Sequence, residues 1–186
     1  MTRPPGSGQN YVMNYLISSK WSLGEHFVIT DDSGMPRFDV RGNLGFSRSL
    51  SLCDVSGAEL ATIRKLMMST EHEIMLGGQR VANVYHKGFF GDSYEIDSGF
   101  GTLFAKGNFL GWNYTIALQG QPVATVSRLP AFGEKFAVEI AASENDVFIL
   151  AVVLAIDAIH DERRRQQQGG AGGMFGAGGI FGGGIT

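Results

Sequence analysis

The sequence predicts a mainly β protein that folds as a closed β-barrel with an apolar helix inside it. Three observations support this prediction. Short segments alternate apolar and polar residues, turn signals separate those segments, and one helical segment is apolar on every side. The length of 186 residues fits one domain with additional end segments.

The strands are predicted from an alternation with a period of two residues. In 49–52, 114–118 and 136–140, apolar side chains alternate with small or polar ones, which directs one face toward a core and the other toward solvent. Turn-forming residues separate the runs at 31–34, 54–57, 77–78, 91–93 and 119–122. Short strands at such regular spacing are typical of a sandwich or a barrel.

The predicted domain also repeats itself, with offsets of 63 to 66 residues between matching segments. The matching pairs are Gly42-Asn43 with Gly107-Asn108, Leu50-Ser51-Leu52 with Ile116-Ala117-Leu118, Ala61-Thr62-Ile63 with Ala124-Thr125-Val126, and Glu73-Ile74 with Glu139-Ile140. Two similar half-barrels that close on each other would explain the repeat, which is too long for a solenoid. Chance similarity among hairpins is the alternative explanation.

A helix is predicted over about 144–165, with acidic residues at its start and three arginines at its end. Its apolar part, 147–156, is about 15 Å long, whereas a bilayer core needs about 30 Å and a strand measures about 17–20 Å. The helix therefore fits inside a barrel better than across a membrane, with membrane insertion as the alternative. The residues predicted to be buried are Val147, Phe148, Ile149, Leu150, Val152, Val153, Leu154 and Ile156.

The two ends of the chain differ in composition from the middle. Residues 1–10 are polar and rich in turn formers, and 166–186 consist of glutamines followed by glycine clusters, so both are predicted to be disordered around a folded domain over 11–165. The single cysteine and the lack of an apolar segment at the start favour a cytoplasmic protein. A net charge of -3 gives no reason to expect nucleic-acid binding.

Several segments, in their order along the chain, resemble the LURP-one-related family. They are Phe27–Gly34, Leu50–Leu60, Ala61–Lys65 and the apolar helix near the C-terminus. Through this family the chain is similar to the wider tubby C-terminal-like and phospholipid scramblase group. The resemblance implies a twelve-stranded antiparallel barrel around a central helix, and association with membranes or phosphoinositides in some relatives. The chain departs from those relatives in lacking a cysteine-rich palmitoylation segment and a dense Lys/Arg cluster.

Neither catalysis nor metal binding is predicted, although some residue types would allow them. Cys53 could act with a histidine, but no nucleophile motif surrounds it, and a small buried thiol is the simpler interpretation. Asp157, His160 and Asp161 share one helix face, yet further metal ligands are not apparent, so they are interpreted as a polar rim where the helix leaves the barrel. We expect no enzyme, no cofactor and no metal.

The function predicted from the sequence is binding, either to a membrane surface or to a protein partner. Arg64, Lys65 and Arg128 occupy related places in the two repeats, and they would form an anionic-lipid contact if their strands are neighbours. The expected protein is cytoplasmic and peripheral to the membrane. The alternatives are a small enzyme or ligand carrier with a pocket beside the helix, and an interaction scaffold that acts through the glycine-rich tail.

Overall fold

The structure is a computed structural model, and it describes residues 12–18, 26–43, 49–65, 69–87, 93–129, 135–141 and 145–169. The predicted leader and residues 170–186 of the predicted tail lie outside this part of the chain. The strands are β1 Val12–Ser18, β2 His26–Asp31, β3 Pro36–Asn43, β4 Ser49–Asp54, β5 Glu59–Lys65, β6 His72–Leu76, β7 Gln79–Lys87, β8 Ser93–Ser98, β9 Gly101–Asn108, β10 Asn113–Leu118, β11 Gln121–Leu129 and β12 Lys135–Ala141, followed by one helix, α1 Asp146–Gly169.

The twelve strands form one closed antiparallel barrel, which confirms the predicted fold. Each strand pairs with its neighbours in sequence, and β1 closes the ring by pairing with β12 from Val12 opposite Ala141 to Ser18 opposite Lys135. Closure leaves no strand of this sheet with an unpaired edge. The alternation found in the sequence becomes an inner face that is buried, as in β4 with Leu50 and Leu52, and an outer face that contacts solvent.

The antiparallel ring gives the barrel two distinct ends. We call the end at which α1 begins the entry end; the turns after β2, β4, β6, β8 and β10 lie there. The opposite end, from which α1 emerges, is the exit end. Two contacts fix the direction of α1: Phe148 packs against Phe100 of the β8–β9 turn, and Glu162 pairs with Lys65 at the end of β5.

The helix runs through the barrel and fills it. Every residue from Phe148 to Ile156 is buried, and Leu150 is 0% exposed. Val147, predicted to be buried, is only partly so, because it lies in the first turn at the entry end. A helix that is apolar on all sides needs such an enclosure. Within the described ranges, no helix combines the length and apolar character needed to cross a bilayer.

The helix begins and ends later than the sequence indicated. Asn145 accepts a hydrogen bond from the backbone N–H of Phe148 at 3.0 Å through its side-chain oxygen, and this cap makes Asp146 the first helical residue. At the other end, residues 166–169 are helical although they were assigned to a disordered tail. Glutamine is a good helix former, so the helix continues through 166–168 and ends at a glycine.

The sequence repeat corresponds to the two halves of the barrel. Matching segments lie on β3 and β9, β4 and β10, β5 and β11, and β6 and β12, so each pair of related strands is six positions apart in a ring of twelve. Related strands therefore stand on opposite sides of the barrel. This is the arrangement expected of two half-barrels that close on each other.

Candidate functional site

Charge is distributed unevenly between the two ends of the barrel. Near the exit end, basic residues outnumber acidic ones among the described residues. The basic residues there are Arg41, Arg64, Lys65, Lys87, Lys106, Arg128, Lys135, Arg163, Arg164 and Arg165, and the acidic ones are Asp39, which pairs with Arg41, and Glu71, Glu73, Glu95, Asp161 and Glu162. Near the entry end the balance reverses, with Asp31, Asp32, Asp54, Glu59, Asp97, Glu139 and Asp146 against Arg37 and Arg80. The exit end is thus the electropositive end of a protein whose net charge is negative.

The three predicted lipid contacts do not form one patch. Arg64 and Lys65 end β5, whereas Arg128 is on β11, on the opposite side of the ring. The two strands are not neighbours, because the repeat places related residues half a circumference apart rather than side by side. The proximity that the predicted contact required is therefore absent.

Arg64 and Lys65 are also engaged within the protein. The Arg64 guanidinium forms an ion pair with Glu73 of β6, whose side chain is buried. The Lys65 ammonium lies 2.6 Å from a carboxylate oxygen of Glu162 on α1. This second pair joins the barrel wall to the helix where the helix emerges, which is a structural role.

Further side chains hold the emerging helix in the same place. His72 at the start of β6 is buried, and its burial lowers its pKa to about 4; nearby Lys65 also lowers that pKa, and Glu162 opposes the shift. His86 of β7 contacts the Arg163 guanidinium. The neutral His72 and the paired charges fix the orientation of the last helical turns against β5, β6 and β7.

Arg128 is exposed and has basic neighbours of its own. It lies near the end of β11 at the exit rim, and its register partner, the buried Phe136, places it on the inner face of the sheet; Lys135, which precedes Phe136, lies on the outer face of the same rim. Lys106 lies near the end of β9, two strands away, on the outer face, with its ammonium 6.0 Å from the centroid of the Phe104 ring. Between them Leu110, in the β9–β10 turn, is 68% exposed. We call these four residues, Lys106, Leu110, Arg128 and Lys135, the Leu110 patch.

The shape of the β9–β10 turn explains why Leu110 faces solvent. The Asn108 side chain accepts a hydrogen bond from the Gly111 N–H at 2.9 Å, and Trp112 adopts a positive φ of 52°. That backbone conformation is uncommon for a large side chain. Trp112 reaches back and stacks on Phe136 with 4.2 Å between ring centroids. The turn is thereby anchored on both sides of Leu110, whose side chain points outward.

Leu110 could not be singled out from the sequence. The available signal was a pair of apolar residues, Phe109 and Leu110, between the turn formers Asn108 and Gly111, and it does not distinguish the buried Phe109 from the exposed Leu110. Of the two tryptophans, Trp112 packs against the core as one expects for an aromatic side chain. Trp21 lies outside the described residues.

Comparison with known proteins shows which family this barrel belongs to. The model of the family described as LURP-one-related matches residues 13–157, which is most of the chain. The chain belongs to the LURP-one-related family. No curated protein matches it.

Five solved chains are similar to this LURP-one-related protein. One is an X-ray structure of an Arabidopsis thaliana protein, with a TM-score of 0.64, 22% sequence identity, and coverage of 81% of this chain and 93% of the plant chain. At this identity the similarity shows a shared fold.

Cys53 of this LURP-one-related barrel is not arranged like a catalytic nucleophile. The thiol is buried, and burial raises its pKa, which keeps it protonated and weakly nucleophilic. Its register partner across the strand is Asp39, and Asp39 forms an ion pair with His26. The carboxylate therefore lies between thiol and imidazole, whereas a cysteine–histidine mechanism needs the imidazole next to the thiol.

The helix face with Asp157 differs from the predicted polar rim. Asp157 is buried inside the barrel, and its burial raises the pKa of its carboxyl well above the ordinary value; Asp161 adds to the shift and Arg164 opposes it. A carboxyl that holds its proton is a poor metal ligand. Among the residues that the structure describes, no group of histidine, cysteine and acidic side chains is arranged to hold a metal ion.

A surface groove lies between β7 and β8 near the entry end. Its volume is about 270 Å³, and Arg80, Asn83, Asp97 and Ser98 are among the residues that line it. A ligand carrier would need a pocket beside the helix, and none of the residues that line this groove belongs to α1.

Proposed function

We propose that this LURP-one-related protein is a non-catalytic module that docks its exit end on anionic phospholipid headgroups. The observation that supports the proposal is the Leu110 patch, in which one exposed apolar side chain lies at the same rim as three exposed cations, Arg128 on the inner face of the sheet and Lys106 and Lys135 on its outer face. The acidic entry end would then face away from the membrane.

The chemistry of the patch matches that of a membrane interface. Each Lys or Arg close to an anionic leaflet contributes roughly 1 kcal/mol of attraction. A leucine at a turn tip can enter the boundary between headgroups and acyl chains, which adds apolar burial that Lys or Arg alone cannot supply. Three cations and one leucine give weak, reversible and salt-dependent binding, as is typical of peripheral association.

The test is co-sedimentation of the full chain with vesicles that contain phosphatidylserine, compared with neutral phosphatidylcholine vesicles. We expect binding to the anionic vesicles at low salt, and Arg128→Glu with Lys135→Glu should weaken it at least tenfold. Leu110→Ser should weaken binding while leaving its salt dependence unchanged, since no charge is removed.

The matched control reverses two cations at the other end, Arg37→Glu with Arg80→Glu. This variant has the same net charge as the exit-end variant, so it separates local contact from bulk electrostatics. Equal losses in the two variants would contradict docking through the exit end. Equal binding of the parent protein to neutral and anionic vesicles would contradict the proposal as a whole.

A further inference from the structure

The entry end of the barrel carries exposed apolar side chains that the proposed lipid contact does not use. Met35 in the β2–β3 turn is 62% exposed, Val55 in the β4–β5 turn is 71% exposed, and Phe100 in the β8–β9 turn is 59% exposed. Met13 of β1 is exposed near the same end. Single exposed apolar residues are common, but several at one end of a small barrel indicate an interaction surface.

The turns that present Met35 and Val55 are rigid and built alike. In each, an aspartate side-chain oxygen, of Asp31 or Asp54, accepts hydrogen bonds from two backbone N–H groups and from a serine hydroxyl, all between 2.6 and 3.0 Å. These bonds also lower the pKa of both aspartates. The two apolar tips are therefore held outward beside fixed negative charges.

The negative charge of the entry end indicates which kind of partner can bind there. Negatively charged residues outnumber positive ones near the entry end, so an anionic bilayer or a second entry end would be repelled. A surface that is basic and also carries apolar groups is complementary to it. The exit end of the same protein has that chemistry, with Arg164 and Arg165 exposed on the emerging helix, where Arg165 also pairs with Asp161 at 2.7 Å. The sequence that follows adds uncharged apolar residues, Met174 and Phe175.

We propose that the entry end of one copy binds the C-terminal part of a second copy, from the emerging helix onward, so that the protein associates head to tail. Such a contact joins two different surfaces. A head-to-tail dimer therefore still has one free entry end and one free C-terminal segment, and it can add further copies to form a linear oligomer. Anionic vesicles would compete with this contact, because both use the exit end.

Two variants test the head-to-tail contact, one altered to block it at the entry end and the other to block it at the emerging helix. Met35→Lys with Val55→Lys reverses the polarity of the entry end at exposed turn tips, and Arg164→Glu with Arg165→Glu reverses the charge of the emerging helix. The matched control is Val28→Lys with Phe104→Lys, which makes the same type of change at exposed apolar residues on the barrel wall.

The test is sedimentation velocity of the full chain over a concentration series at low salt, with folding of each variant verified by circular dichroism. We expect the parent and the wall control to associate with rising concentration, and each blocked variant alone to associate at least tenfold more weakly. An equimolar mixture of the two blocked variants should recover association but stop at dimers, since only one intact contact can form.

Three results would overturn the proposal. The first is a parent protein that stays monomeric at low salt, and the second is a mixture of the blocked variants that stays monomeric. The third is association that the entry-end variant does not weaken. A monomeric parent whose tail becomes more sensitive to protease in the entry-end variant would assign the surface to the tail of the same copy instead.

Discussion

Side chains inside the barrel are enclosed from two sides, by the helix and by the strands. Leu150 of α1 and Leu52 of β4 are both 0% exposed, and the helix is buried on every face over Phe148–Ile156. A substitution there cannot turn toward solvent, so it has to be accommodated by neighbours that are already close-packed.

Leu150→Asp should unfold the protein or destabilise it by more than about 4 kcal/mol, because it places an unpaired carboxylate in an apolar interior. Urea denaturation monitored by tryptophan fluorescence measures the change. Val55→Asp is the control, since Val55 is exposed and its replacement should alter stability by about 0.5 kcal/mol or less. A Leu150→Asp variant that unfolds like the parent would show that the helix is not enclosed.

Gly107→Ala should destabilise the barrel by about 2 kcal/mol or more. Gly107 has a φ of 146°, and an added Cβ would lie 2.5 Å from the backbone oxygen of Asn113 and 2.6 Å from the Cα of Tyr114, on the neighbouring strand. Gly99→Ala is the matched control, because its Cβ would meet no atom within 4 Å. Equal melting temperatures for the two variants would contradict this close approach of β9 and β10.

The alternation of apolar and polar residues along the strands predicts which side chains point inward. It does not predict which residues those side chains contact. The inward direction of Leu50 and Leu52 follows from a period of two, whereas the pairing of Lys65 with Glu162 joins residues far apart in sequence. The exposure of Leu110 depends on a turn whose Trp112 has a positive φ, and no residue pattern signals that conformation.

At the scale of elements, the helix changes character along its length. Its apolar part ends at Ile156, and Asp157 follows while the helix is still inside the barrel. Tyr114 of β10 also lies there, and its pKa is raised mainly by burial and further by Asp157. The element is thus stabilised by apolar packing at its start and by ion pairs where it emerges, with a buried carboxyl between the two.

Asp157→Asn should reduce the dependence of stability on pH. The folded pKa of Asp157 is raised, so between about pH 4, where the unfolded carboxyl titrates, and the folded pKa the folded state holds the extra proton. The contribution of Asp157 to the free energy of unfolding is greatest below this window and decreases as pH rises through it. Asparagine cannot ionise, so the variant should become relatively more stable toward alkaline pH.

Urea denaturation at several pH values between about 5 and 8 measures this effect. Val55→Asn is the control, because Val55 is exposed in a turn and this replacement neither adds nor removes an ionisable group, so the slope should stay unchanged. A variant at position 157 that keeps the parent's slope would show that this carboxyl is ionised in the folded protein.

The existence of the helix could be predicted from the sequence because the apolar run 147–156 does not alternate as the strands do and is longer than the roughly four to eight residues usual for a buried strand. Its ends could not, because they depend on which residue caps the start and on how far the glutamines extend the last turns. Asn145 and Asp146 are both residue types that cap helices, and the bond of the Asn145 side chain to the Phe148 N–H identifies Asn145 as the cap.

At the scale of the whole molecule, ring and helix depend on each other. The barrel encloses α1, and without the helix its inner side chains, such as Ile63 and Ile74, would line an open apolar cavity. The helix in turn is too apolar to remain exposed to water.

A chain that ends at residue 144 should therefore fail to form a stable barrel. Size-exclusion chromatography and circular dichroism should show aggregated or unfolded protein, because the interior cannot collapse around the missing helix. Adding the peptide 145–169 during refolding should restore monomeric barrel in part. A stable, monomeric barrel without the helix would contradict this dependence.

The sequence repeat indicated two half-barrels, and the ring shows what this implies for surfaces. Residues at matching places, such as Lys65 and Arg128, are separated by half the circumference, so a repeat cannot be used to assemble a binding patch. To predict which residues lie at the same end of the barrel, one needs the number of strands and the direction of each. The structure of the complete ring provides both.

The pairing of β1 with β12 has a consequence for biosynthesis. The nascent chain cannot seal the ring until residue 141 has left the ribosome, and the helix that fills the interior is translated later still. Until then the edge of β1 that pairs with β12 stays unpaired. Pairing between strands so far apart in sequence is slow to form. The growing polypeptide is therefore expected to be a client of ribosome-associated chaperones, and protection of β1 from proteolysis should come only after α1 has left the ribosome.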